Sequence, residues 1–258
     1  MKNFRLLLLA GSALLLASCN TDKVPGYGLS GTVVEGTYDS SGILTTTPWK
    51  GGVGSVVASI PTQDGRDLTE LARTTLAADG KFNLSLPRPA NNQLGPVDGE
   101  DVAGSGAHCQ GTIEISDRQA QGTGLFLSVD AKDASKDGLL ALVAGSTVMT
   151  GDKVVIDQVS GGLMYVDRDV KIKGVRTCIV SLKEGTATTT NDVNLTLQKG
   201  WNKFTTALKI EADGTRSQGT ITLRSGSFPT DNWVFMSPGI AQPLGLQSLK
   251  TFNIPFFR

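Results

Sequence analysis

The sequence predicts an all-β protein, with two β-sandwich-like domains behind a cleaved N-terminal export signal. Three observations predict it. Short β-branched segments recur along the chain, bounded by glycine, proline or other turn residues. Several of them alternate apolar and polar residues with the period of a half-buried strand. The composition is turn-rich, with 31 glycines and 6% aromatic residues, while 39% hydrophobic residues suffice for a core.

The elements follow in order. "MKNFR" (1–5) carries two positive charges and no acid, and "LLLLAGSALLLA" (6–17) is apolar apart from one serine. A short cationic segment followed by such a run is the layout of a secretory signal peptide. Its 12 residues fall short of the ~20 apolar residues that a membrane-spanning helix needs. No later segment reaches that length uninterrupted, so no transmembrane helix is expected in the mature chain.

Leu16-Ala17-Ser18-Cys19 closes the run and resembles the lipobox of bacterial lipoproteins: leucine, a small residue, a second small residue, then cysteine. The resemblance implies cleavage before Cys19, lipidation of its thiol and acylation of the new amino terminus. Several acyl chains hold a protein far better than one, because each buried CH2 adds roughly 0.8 kcal/mol. Asn20, rather than Asp, stands second in the mature chain; in enteric-type bacteria this implies sorting to the outer membrane. Residues 20–28, "NTDKVPGYG", read as a tether.

The first domain is expected over 29–89. "LSGTVVEG" (29–36) and "GSVVASI" (54–60) read as strands, and "FNLSLP" (82–87) places Phe82, Leu84 and Leu86 on one face. Asp79-Gly80 before it is a tight-turn pair. "DLTELA" (67–72) has an Asp cap with Glu three residues on, a helix-start signature, but the following "RTTL" favours a strand. "SGTV" with "DGKFNLSLP" about fifty residues later resembles the carboxypeptidase regulatory-like, or transthyretin-like, β-sandwich. That resemblance implies an accessory module. The transthyretin-like hydrolases depend on several histidines, and this chain has one, so their activity is not implied.

Residues 90–107 are rich in proline, glycine and asparagine and read as a linker or long loop. A second sandwich or barrel is expected over 108–236. Its predicted strands are 111–116, 125–129, 139–144, 153–159 and 169–174, then 177–182, 193–198, 203–210 and 219–224. "LQKGWN" (197–202) contains a Lys-Gly turn between two alternating strands and is similar to a segment of other bacterial envelope lipoproteins. Residues 237–258 read as an extended strap.

With Cys19 assigned to lipid, Cys109 and Cys178 remain. An exported protein resides where disulfides persist, so the two are expected to pair; two reduced thiols are the alternative. Without Lys2 and Arg5, 22 basic residues face 24 acidic ones, a net charge near −2. That balance does not suit a nucleic-acid partner.

Catalytic motifs are missing. His108 is the one histidine and stands beside Cys109. Neighbours on a strand point to opposite faces, which argues against a Cys–His dyad. A catalytic zinc typically takes three protein ligands, and His108 has no histidine company. "DGED" (98–101) and "DAKDASKDG" (130–138) offer carboxylates for Ca2+ but lack the spacing of a dedicated loop. "YVDRDV" (165–170) would set Asp167 and Asp169 on one strand face, a pair that could serve glycoside hydrolysis or simply face solvent. Trp49, Tyr165, Trp201 and Trp233 could form a stacking platform for sugars or pack the core. "PWKGG" (48–52) reads as a loop able to expose Trp49.

The expectation is therefore a non-catalytic envelope protein without a cofactor. It would be held to the membrane through lipid, and its partner would be another envelope protein or a surface glycan. A carbohydrate-active or carbohydrate-binding protein and an accessory subunit of a surface complex are the alternatives.

Overall fold

The computed structural model describes residues 26–39, 43–62, 66–98, 108–132, 138–150, 153–182, 185–213 and 215–236. Within them the protein is built from strands, with one short 3-10 turn at Asn91–Gln93 and no α-helix. The first six strands are β1 (Tyr27–Tyr38), β2 (Leu44–Pro48), β3 (Gly54–Pro61), β4 (Leu68–Leu76), β5 (Lys81–Leu86) and β6 (Gly95–Pro96). Next come β7 (Cys109–Ile115), β8 (Gln121–Gly124), β9 (Phe126–Ala131), β10 (Gly138–Thr150) and β11 (Lys153–Val166). The last are β12 (Val170–Leu182), β13 (Gly185–Leu197), β14 (Gly200–Asp213), β15 (Arg216–Ser225) and β16 (Asn232–Met236).

β5 shows how sequence becomes structure here. "KFNLSL" alternates strictly, and Phe82, Leu84 and Leu86 are buried while Lys81, Asn83 and Ser85 are exposed. Each such burial contributes about 1.5–3 kcal/mol. Gly80 takes a φ of 83° in the turn before it, closing the β4–β5 connection with its amide donating to the Ala77 carbonyl at 2.9 Å. Residues 67–72, which carried a helix-start signature, lie largely in β4: the β-branched "RTTL" continues a strand that pairs with β3 from Gly54↔Leu76 to Pro61↔Leu68.

The first core does not stop at residue 89. β1 pairs with β5 and β2 on one edge and, in parallel, with β16 on the other. β3 pairs with β9, and β9 and β16 flank the first residues of β10. Leu127, Val129, Leu140, Leu163, Trp233 and Phe235 accordingly share one core with Leu29, Val33, Val56, Phe82 and Leu84. The core around segment 29–89 therefore draws on strands from outside it. Segment 29–89 alone would leave one edge of β3 and of β1 unpaired, and strands from beyond residue 120 complete it.

A second core lies under the path β11-β14-β15-β13-β12-β7. Ile156, Val170, Ile172, Val193, Leu195, Leu208, Ile221 and Leu223 fill it. Val97 belongs to the same core, and β6 pairs with β8, so part of the expected 90–107 linker is packed structure. Residues 99–107 lie outside the described set, as do 1–25 and the expected strap at 237–258.

Several strands are longer than the sequence implies. Segments 169–174 and 177–182 form one strand, β12, continuous through Gly174. β11 and β14 run 14 residues each and pair from Lys153↔Asp213 to Val166↔Gly200. The Lys199-Gly200 turn joins two strands that are not neighbours, because β15 lies between β13 and β14, antiparallel to β14 and parallel to β13. Arg224 fastens the insertion, donating to the Asp192 carboxylate at 2.6 Å and to its carbonyl at 2.8 Å. Ser225 Oγ closes the end by accepting from the Thr196 amide and donating to its carbonyl.

Candidate functional site

The sequence-predicted site residues fall into three environments. The first is a surface of connecting segments at one end of the long strands. Asp167 and Asp169 are not on a strand face: the chain leaves β11 at Val166 and enters β12 at Val170, so both stand in the turn between them. Three successive charged residues, Asp167-Arg168-Asp169, separate the buried end of β11 at Val166 from buried Val170 at the start of β12, because a buried strand face does not accept them.

Each carboxylate in this turn is engaged. Asp167 Oδ1 accepts from the Gln121 amide at 2.8 Å, tying the turn to β8. Arg168 donates to Asp167 Oδ2 at 3.1 Å and lies 3.7 Å from Asp117. Burial opposes ionisation of Asp167, but the Gln121 amide and the Arg168 guanidinium outweigh it and hold the carboxyl below its usual range. Asp169 Oδ1 accepts from the Lys199 amide at 2.8 Å, binding the β11–β12 turn to the β13–β14 corner. The two acids knit connections together.

The second environment is the core, and it holds three of the four aromatic candidates. Trp49 is 5% exposed although it does lie in a loop, because its indole N–H turns back to the Gly52 carbonyl at 2.7 Å and its rings pack edge-on against Phe235. Trp233 is 6% exposed between Phe82 and Phe228, and Tyr165 is 3% exposed. None of the three offers a face for stacking. Trp201 is partly buried; it meets Tyr165 edge-on with ring centroids 5.5 Å apart, and its Nε1 donates to the Pro87 carbonyl at 3.0 Å. Of the four residues proposed for a stacking platform, Trp49, Tyr165 and Trp233 therefore pack the core, and Trp201 alone keeps part of its ring accessible.

The third environment is the rim of the second sheet, where Cys109 and Cys178 form a disulfide. Ile179 N donates to the His108 carbonyl and Ser116 N to the Lys171 carbonyl. Even-numbered residues of β7 therefore make the hydrogen-bonded pairs with β12. Cys109 and Cys178 oppose each other in a non-hydrogen-bonded pair, the position where Cα atoms approach most closely. Their Cα atoms are 4.0 Å apart. His108 is exposed beside the bridge and Cys109 has no free thiol, so no Cys–His dyad exists.

For a metal, no three His, Cys, Asp or Glu side chains converge among the described residues. The candidate calcium loops fall mostly outside those residues; of their acids, Asp130 pairs with Arg73 across β3. Cys19 and the lipobox also lie outside the described residues.

Sequence reasoning did not single out the Gln121 amide, Arg168 or Pro87, which act through backbone groups or at long range. Among them only Arg168 had a signal, the charged triplet itself. Comparison with family models, with curated proteins and with solved structures finds no match for this chain.

Proposed function

We propose that this chain is a lipid-anchored protein of the cell envelope with a structural or binding role, carrying a stiff β body at the membrane surface for another envelope component. The observation that carries this reading is Leu16-Ala17-Ser18-Cys19, which closes a mostly apolar run begun at Leu6. Support comes from the Cys109–Cys178 bridge, a bond suited to an oxidising compartment outside the cytoplasm. The engagement of Asp167 and Asp169 in turn contacts and the burial of Trp49, Tyr165 and Trp233 weigh against the carbohydrate-active alternative.

The anchor is tested by Cys19→Ala. The substitution should abolish fatty-acid labelling and move the protein out of the membrane fraction, and unchanged labelling would refute the anchor. A pull-down from detergent-solubilised envelopes then tests whether the body has a protein partner.

A further inference from the structure

We propose that the end of the molecule bearing Tyr27, Pro87, Arg88, Lys199 and Trp201 rests against the lipid bilayer, with the hairpin ends of the long strands turned away. This deepens the anchor reading above and rests on it. Chain length sets the first constraint. Six residues separate Cys19 from Gly26, so the anchor lies at most about 25 Å from Gly26 by any path.

The topology says which end that is. Tyr27, the first residue of β1, pairs with Leu86 at the end of β5. The adjoining Pro87 carbonyl accepts the indole N–H of Trp201. Trp201 is the cross-strand partner of Tyr165, one residue before the end of β11. The start of β1 therefore shares an end with the β11–β12 turn and the β13–β14 corner. The opposite ends of β11 and β14, Lys153 and Asp213, are 13 residues from Val166 and Gly200 along paired strands, about 45 Å. Thr186 pairs with Arg216, so the β12–β13 and β14–β15 hairpins reach that same far end. A 25 Å leash does not bring it to the bilayer while the near end stays off.

The near end also has interfacial chemistry. Tyr27 and Trp201 are partly buried, with their rings packed on the first core, the amphipathic placement that aromatic residues take at headgroup depth. Arg88, Lys199 and Lys203 are exposed around them and can meet phosphate headgroups. Of the neighbouring acids, Asp167 and Asp117 share the Arg168 guanidinium, and Asp169 accepts from the Lys199 amide while keeping its charge.

The test uses the full-length lipidated protein in phospholipid vesicles that contain an anionic fraction and a headgroup-bound nitroxide quencher. A fluorophore is attached at Lys199→Cys in one sample and at Thr215→Cys in another; both positions are exposed, and Cys109 and Cys178 are occupied by their disulfide. The Lys199→Cys probe should be quenched several-fold more than the Thr215→Cys probe. Flotation and the mass of the N-terminal peptide are read on the same samples. Acylated, floating protein with equal quenching, or with more at position 215, overturns the orientation and leaves the anchor standing. Protein that neither floats nor carries acyl mass overturns the anchor and the orientation with it.

Discussion

Phe204 brings the edge of its ring against Gly162, its cross-strand partner on β11, so closely that a Cβ at position 162 would clash with Cζ and both Cε atoms. The preceding residue does the same on the other face. A Cβ at Gly161 would come within 2.8 Å of Phe228 Cδ1 and 3.1 Å of Pro229 Cδ. Successive strand residues point to opposite faces, so the Gly161-Gly162 pair thins β11 on both sides. Phe204 belongs to the second core and Phe228 packs on the first. The glycine pair lets one strand serve both.

Gly162→Ala should therefore destabilise the protein by about 1–3 kcal/mol, the usual effect of overpacking. Gly28→Ala is the control, since nothing lies within 4 Å of a Cβ there. Urea unfolding of the two variants checks this. Equal midpoints would show that the Phe204 ring moves aside without loss.

Removing the disulfide with Cys109→Ser and Cys178→Ser together should lower stability. The bridge spans 69 residues, for which the chain-entropy estimate is about 4 kcal/mol. β7 pairs in the sheet with β12, so backbone amides of 109–115 should lose hydrogen-exchange protection before those of β11 and β14. Uniform loss of protection would instead mark the bridge as a global constraint.

Acid should release the β11–β12 turn from β8. The Asp167 carboxyl is held below its usual range in the folded protein. Its contribution is therefore complete above the ordinary carboxylate pKa of about 3.9 and is lost as the pH falls through the lowered folded value. Asp167→Ala should cost about 1 kcal/mol at neutral pH and remove that part of the acid dependence. Stability measured from pH 7 to pH 2 on both proteins decides it; parallel curves would exclude Asp167 as a source.

Collisional quenching should separate the tryptophans. Trp49 and Trp233 are 5% and 6% exposed and should resist iodide, so Trp201 should account for the accessible fraction. Trp201→Phe should abolish most of that fraction. It also removes the bond to the Pro87 carbonyl, at a cost of about 1 kcal/mol. Substantial quenching that survives Trp201→Phe would contradict the burial of the other two.

Much of the fold was legible where local pattern and tertiary environment agree. "FNLSL" reads as a strand with one buried face because its alternation matches the side it presents to the core, and Asp79-Gly80 reads as a turn because glycine there takes positive φ. "YVDRDV" misleads by extending an apparent alternation through a turn. Trp49 misleads in another way: loop composition suggests exposure, but a ring that large is drawn into the core even from a loop.

The sequence by itself determined the β class, because alternation and turn residues are written in neighbouring positions, and it made the Cys109–Cys178 bridge an expectation that the structure bears out. Tertiary structure decided that β9, β10 and β16 complete the first core, that β15 inserts between β13 and β14, and that the aromatic and acidic candidates are spent on packing and turns. Strand partners are chosen by which edges remain unpaired once the chain has folded back. That choice depends on residues a hundred or more positions apart, and no local pattern records it.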